Sequence, residues 1–272
     1  MLFNLDQLFE DYMGIRGSKA LRNTENSRSE ALVSAKKADN ALRTYAFEDI
    51  SPALVLKINP RAKRMALRLD PKKRVVNLVL PKRASMVGAY KFALEHKYWI
   101  REKLAELPEQ IGFEDGAVIS ILGKLCEIKV SYDKTLKKTD IYLKNNELIV
   151  STNKEDPSSR IKRFIINLAK DHLHELAHEK AAEIGKTISK IEVKDTTSRW
   201  GSCSHDGKLC FSWRLIFAPE KAFDYVVAHE VAHLKHMDHS PAFWRLCEDL
   251  CEDYSKGKSW MRRHSGELIR YS

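Results

Sequence analysis

The 272-residue chain lacks most of the marks of a membrane, secreted or disordered protein. No apolar run approaches the roughly 18 residues that a membrane span needs. The opening Met-Leu-Phe-Asn-Leu-Asp-Gln has no basic stretch leading into an apolar one, so no secretory signal is expected. Cysteine is scarce: Cys126, Cys203, Cys210, Cys247 and Cys251 are an odd number with no CxxC among them. This pattern excludes a disulfide framework and points to reduced thiols in the cytoplasm. Cys247 and Cys251, four apart on an expected helix, read as small buried hydrophobes. With only 11 Gly and 8 Pro against 43% hydrophobic residues, fibrous and low-complexity readings fall away and a globular chain with a real core remains.

Charge of one sign is in excess, net +10, which first suggests a polyanionic partner. The excess is unevenly placed. Residues 51–110 carry 14 basic and 5 acidic side chains, residues 256–272 carry 5 and 1, and residues 195–255 carry 6 and 10. The segment richest in candidate site residues is therefore acidic. A weak nucleic-acid contact, if any, is expected through the basic segment 51–110, with solubility as the plainer use of Lys72-Lys73-Arg74 and Lys82-Arg83.

Periodicity divides the chain into residues 1–50, 51–255 and a basic tail, 256–272. Residues 5–15 suit a short amphipathic helix, and the polar stretch after it suits a linker or arm. From residue 53, short alternating segments separated by Asn-Pro and Asp-Pro read as antiparallel strands: Leu54–Ile58, Met65–Leu69 and Val75–Leu80. A helix is expected from Met86 to about Leu107, capped by Ser85 and stopped by Pro108. Strand signals follow at Ala117–Leu122, Leu125–Tyr132, Ile141–Leu143 and Leu148–Ser151, with Asn145-Asn146 as a tight turn between the last two. A long helix is expected at 158–184, then strands at Lys190–Lys194 and Leu209–Trp213, then helices at 221–235 and 241–251. Strands first and helices later describe an α+β fold: a strand-rich half, 51–155, and a helical half, 156–255.

The pentad His-Glu-x-x-His puts two imidazoles on one face of a helix, where both can hold one zinc ion while the glutamate takes a proton from water. The chain has two. His174-Glu175-Leu176-Ala177-His178 falls opposite the apolar arc of Ile161, Ile165, Ala169, Leu173 and Leu176, among Arg163, Lys170 and Asp171, and reads as a solvated face. His229-Glu230-Val231-Ala232-His233 sits instead in a helix that is apolar nearly all round, where two histidines and a carboxylate need partners or a metal. For a third ligand, His236 lies about 10 Å along the axis from His229 and is out of reach on a straight helix. His239 is better placed, because Ser240-Pro241 marks the start of a new helix and a turn before it can swing His239 back. The full string His229-x3-His233-x5-His239 signals a three-histidine site with an open fourth position. Ser259-Trp260-Met261 is a weak candidate for a Met-turn.

These residues resemble the YgjP-like metallopeptidases, relatives of the SprT-like and WLM zinc peptidases. Three parts carry the likeness: Arg64-Met65-Ala66-Leu67-Arg68-Leu69-Asp70 with Val75–Pro81 and Lys97-Tyr98-Trp99-Ile100; Arg199-Trp200-Gly201-Ser202-Cys203-Ser204 with Leu215-Ile216-Phe217-Ala218-Pro219; and Asp224 to Leu234 closed by His239-Ser240-Pro241-Ala242-Phe243-Trp244. Together they span about residues 52–255. The resemblance implies a helical mini-zincin half, one zinc ion per chain on His229, His233 and His239, Glu230 as general base, and Trp200, Gly201, Ser202 and Cys203 beside the cleft. The expected activity is hydrolysis of peptide bonds in a protein or peptide substrate, with no membrane partner. Tyr225, Arg199 and His205 are candidates for oxyanion stabilisation. Segment 200–203 could offer an edge on which a peptide pairs, Gly201 permitting close approach, or could be a tight turn. Cys203 has no base paired with it in sequence and is not expected to be a nucleophile. The alternative function is a nucleic-acid-associated protein that acts on DNA-bound proteins or holds its zinc structurally.

Overall fold

The computed structural model describes residues 14–16, 47–196 and 199–272. Most of residues 1–50 lies outside them, including the expected amphipathic helix 5–15 up to residue 13; its last two residues, Gly14 and Ile15, are in a strand and not a helix, because they pair with Arg68 and Leu67. The described chain is a mixed α/β structure with three small sheets and six helices. It divides into two compact units at Leu107/Pro108.

The first unit holds β1 (Gly14–Arg16), β2 (Leu54–Ile58), β3 (Ala66–Asp70) and β4 (Val75–Leu80) in the order β1-β3-β4-β2. In β4 the apolar residues alternate, and Val76, Leu78 and Leu80 go to the core while their neighbours stay half-exposed. Leu67 and Leu69 of β3 join them, and helix α1 (Met86–Glu95) covers the cluster with Ala89, Phe92 and Ala93. Ser85 caps α1 by accepting from the Gly88 N–H, as the sequence predicts. The expected single helix to Leu107 is two. His96 ends α1, its Nδ1 bonded to the Phe92 carbonyl, and begins α2 (Lys97–Ala105). The sheet is also not wholly antiparallel: β2 runs parallel to β4. Short strand spacing favours hairpins, but β2 skips β3 to reach β4, and nothing local in the sequence encodes that choice.

The second unit begins with β5 (Val118–Ile121), β6 (Lys124–Tyr132), β7 (Asp140–Lys144) and β8 (Glu147–Thr152), ordered β5-β6-β8-β7. Asn145 and Asn146 both take left-handed φ, 51° and 62°, which turns β7 into β8 as a two-residue hairpin. Helix α3 (Ser158–Glu183) then buries Ile161, Ile165, Ala169, Leu173, Ala177 and Ala181 along one stripe. A third sheet follows, ordered β10-β11-β9 from β9 (Lys190–Lys194), β10 (Gly201–Cys203) and β11 (Lys208–Ser212), with β10 at an edge among the described residues. Its outer face pins Glu192 among Lys190, Lys194 and Lys208, which hold that carboxyl down at about 2.

The helices that carry the site come last: α4 (Glu220–Ala232), α5 (Pro241–Asp249) and α6 (Tyr254–His264). Residues 256–272 form most of α6 and a closing 3-10 turn, with Met261, Leu268, Ile269 and Tyr271 buried. Tyr271 stacks on Phe217 at 3.8 Å, and the buried Arg214 donates to the Tyr271 carbonyl and to Asp195. Ser259-Trp260-Met261 lies inside α6 and makes no Met-turn.

One buried ion pair ties α3 to the site helix. Lys180 is 7% exposed; its ammonium meets Asp224 of α4 at 2.6 Å and donates to the Leu250 carbonyl at 2.5 Å. Removing one partner of such a pair strands the other. Lys180→Met is expected to cost about 3 kcal/mol, read as a lower urea midpoint at unchanged slope. A cost within experimental error would show that Lys180 is dispensable to the packing.

Candidate metal centre

Helix α4 is buried from Ala222 to Ala232 with the sole exception of Asp224, and that interior includes His229 and Glu230, each about 3% exposed or less. The helix ends sooner than its apolar pattern suggests. His233 is already the C-cap, so the second imidazole of the pentad stands at the point where the chain leaves the axis. Residues 233–238 turn, and Ser240 caps α5 by accepting from the Phe243 N–H, with Pro241 in the first turn. This reversal brings His239 back over the pair.

Among the described residues, the one group of His, Cys, Asp or Glu able to hold a metal ion is His229, His233 and His239, whose nitrogens lie within 4.8 Å of one another. The Nε2 atoms of His229 and His239 face each other at 3.4 Å. Two nitrogens bound at about 2.05 Å to a tetrahedral zinc stand roughly 3.3 Å apart, so the donors fit that ion with little movement. Nδ1 of His233 bonds to the His236 carbonyl at 2.9 Å, which fixes the ring and leaves Nε2 for a metal. His236 thus contributes its backbone and not its imidazole, a role no ligand spacing would reveal. Nδ1 of His229 has no partner among the described residues. Its ring is instead held by Phe243, edge-on at 5.0 Å, and Trp244 at 5.7 Å. Trp244 also stacks on His239 at 5.4 Å, and the Lys258 ammonium lies 4.3 Å from the Trp244 ring centroid.

Burial pushes the His229 imidazole well below its ordinary range, and His233, His239 and Lys258 push it further. It is therefore neutral at physiological pH, the form that binds metal.

Glu230 is held against β10. A Cβ placed on Gly201 would sit 2.5 Å from both Cγ and Oε1 of Glu230. Only glycine leaves room there for the carboxylate, so the open side of Gly201 is taken by Glu230. The sequence suggests close approach at this glycine but not what approaches. Ser202 and Cys203 complete the edge strand, half-buried, while Trp200 is buried just before it. Burial and the nearby Glu230 push the Cys203 thiol up to about 12, so it stays protonated and is no nucleophile. Burial raises the Tyr225 phenol as well; its ring is 6.1 Å from that of His229 and packs edge-on to Tyr254. Arg199 and His205 are both exposed, the first before β10 and the second in the turn after it.

The first pentad stays apart from this cluster. His178 is exposed on α3, as expected of a solvated face, but His174 is half-buried with Nε2 shut away from solvent and unpartnered among the described residues. Its pKa is lowered by that burial.

Three convergent imidazoles beside a buried carboxylate form a centre of the kind found in metal-dependent hydrolases. The chain belongs to the YgjP-like family: the model of the YgjP-like metallopeptidase domain matches residues 63–264. No curated protein matches the chain, and no solved structure does.

Two outcomes follow from this geometry. Gly201→Ala must displace Glu230 or bend β10, at an overpacking cost of about 1–3 kcal/mol measured by urea unfolding; an unchanged midpoint would contradict the contact. In chelator-treated protein, His229 is neutral when folded but titrates near 6.5 when unfolded. Its folded pKa is depressed, so stability is untouched well above 6.5. As pH falls through that value stability drops, by up to about 1.4 kcal/mol per pH unit. Urea midpoints between about pH 7.5 and 5 should show this slope, reduced in His229→Gln; equal slopes in both proteins would refute it.

Proposed function

We propose that the protein is a cytoplasmic zinc-dependent metallopeptidase with one zinc per chain, in which His229, His233 and His239 are the ligands and Glu230 is the general base. Residues 51–255 hold the peptidase domain in this reading, with Gly14–Arg16 adding a strand to its first sheet and α6 packing behind it, and the helical part is a mini-zincin built on the pentad of α4. The observation that carries the proposal is the convergence of three imidazoles on one point beside a carboxylate that water reaches poorly. Family membership supports the same chemistry.

The chemistry that zinc supplies when bound is Lewis acidity, which polarises a carbonyl and brings a water's pKa toward about 7. Glu230 takes the proton of the attacking water and passes it to the leaving nitrogen. Its seat against Gly201 leaves the carboxylate few alternative positions, which keeps the base oriented between turnovers. The open edge of β10 is suited to pair with an extended peptide, Ser202 and Cys203 flanking the chain. Tyr225, protonated and buried behind His229, packs the ring in this scheme. Arg199, exposed just before β10, is the better placed of the two to meet substrate in this scheme.

Glu230→Gln should retain zinc yet lose cleavage of an unfolded protein such as reduced casein by roughly 10²–10⁴-fold. His239→Ala should lose zinc, and His174→Ala should keep it, both read by metal analysis of purified protein. A zinc-loaded wild type that cleaves no unfolded substrate would end the enzymatic reading, and zinc retained in His239→Ala would end the ligand assignment.

A further inference from the structure

The same unit carries a second polar site, built on the outer face of α6. A groove of about 370 Å³ is lined by Ser255, Lys256, Ser259, Trp260 and Arg263 of α6 together with Lys221 from the first turn of α4. Such a volume falls at the small end of ligand pockets, about 300–1,000 Å³. At about 100° per residue, the five α6 positions span an arc of roughly 140°, turned away from the buried Tyr254, Gly257 and Met261. The sixth is brought in by a close helix crossing. A Cβ on Gly257 would lie 2.2 Å from the Lys221 carbonyl and 2.7 Å from Cβ of Tyr225, so glycine at 257 lets α4 approach and sets Lys221 beside Lys256.

The lining is chemically of one kind. Three cations, two hydroxyls and one indole face the groove; the carboxylates near it are Asp253, 2.6 Å from Lys256 and felt by Lys221, Glu252, also felt by Lys256, and Glu267, paired with His264. Lys221, Lys256 and Arg263 are exposed, and the Lys256–Asp253 contact is a surface pair of the sort readily exchanged for another anion. Among the described residues, Arg263 makes a long 3.4 Å bond to the Ser259 carbonyl. Trp260 is half-buried among these groups with His264 tilted beside it at 5.6 Å. An aromatic platform flanked by cations is the arrangement that seats bases by stacking and phosphates by charge. Acidic side chains would satisfy the cations but give the indole nothing flat to stack on.

We propose that this groove binds single-stranded nucleic acid, with a base stacked on Trp260 and the flanking phosphates held by Lys221, Lys256 and Arg263. It is a different place from the basic segment 51–110, and it stands independently of the peptidase reading. Lys258 of the same helix points elsewhere, to Trp244 and the hydroxyl of Tyr254.

The test is fluorescence anisotropy of the full-length protein with a labelled oligothymidylate 12-mer. Three phosphate contacts on a single strand give a log–log salt slope of about −2, so affinity should fall roughly twentyfold between about 50 and 200 mM salt. Lys256→Gln/Arg263→Gln should weaken binding at least tenfold and flatten the slope toward about −0.7. Trp260→Ala should weaken it by about fivefold or more, with Trp260→Phe retaining most of the affinity and carrying the test if the alanine variant does not fold. No binding at the lower salt overturns the proposal. So does binding unaffected by the double glutamine variant, which would place the contact elsewhere. Displacement by polyglutamate as effective as by unlabelled 12-mer would show that the groove reads charge alone, and would equally overturn it.

Discussion

Two polar residues, His229 and Glu230, are buried in a helix with no solvent-facing side over their length. Everything around α4 answers to that constraint. An unpartnered imidazole and carboxylate in such surroundings would cost several kcal/mol. The carboxylate is seated against the bare Cα of Gly201, and the imidazole, its Nδ1 without a partner among the described residues, turns Nε2 toward His239, where a bound metal would offset part of that cost. The neighbouring elements follow from these needs. A sheet edge must end in glycine at one place, a helix must stop at His233, and the next must start at Ser240.

How much of this was legible in the sequence depends on range. Local signals were sound: Asn145-Asn146 turns a hairpin through left-handed φ, Ser85 and Ser240 cap helices, and alternation marks Val76, Leu78 and Leu80 as core. The difference between the two pentads was also readable, because it is a difference in the company each keeps around its helix. Long-range pairing was not. Each sheet contains a parallel pair, β2 with β4, β6 with β8 and β9 with β11, and no turn signal announces a strand that skips its neighbour.

The largest omission was α6. Its Lys, Arg and Ser content reads as a charged tail, and Gly257 weakens any helical pattern. Yet Tyr254, Gly257 and Met261 recur at helical spacing and are buried. The glycine that argues against a helix is there because α4 passes too close for any side chain. Likewise, a lone apolar Leu268-Ile269 after a basic stretch does not disclose a chain end clamped by Arg214. The charge excess is thus partly structural in placement: the basic side chains after residue 255 mostly decorate a packed helix, while the segment holding the histidine cluster remains acidic.

The donor set of the candidate centre is split between kinds of structure. His229 lies within α4, His233 at its cap, and His239 in the turn before α5. His229 and His233 are neighbours on α4 alone, but His239 joins them only once the chain has reversed and both helices have docked. A cation that requires all three can therefore tell the folded chain from every less complete form of it. Its binding free energy would then add to folding itself, and metal supply would act as a control on how much of the protein persists.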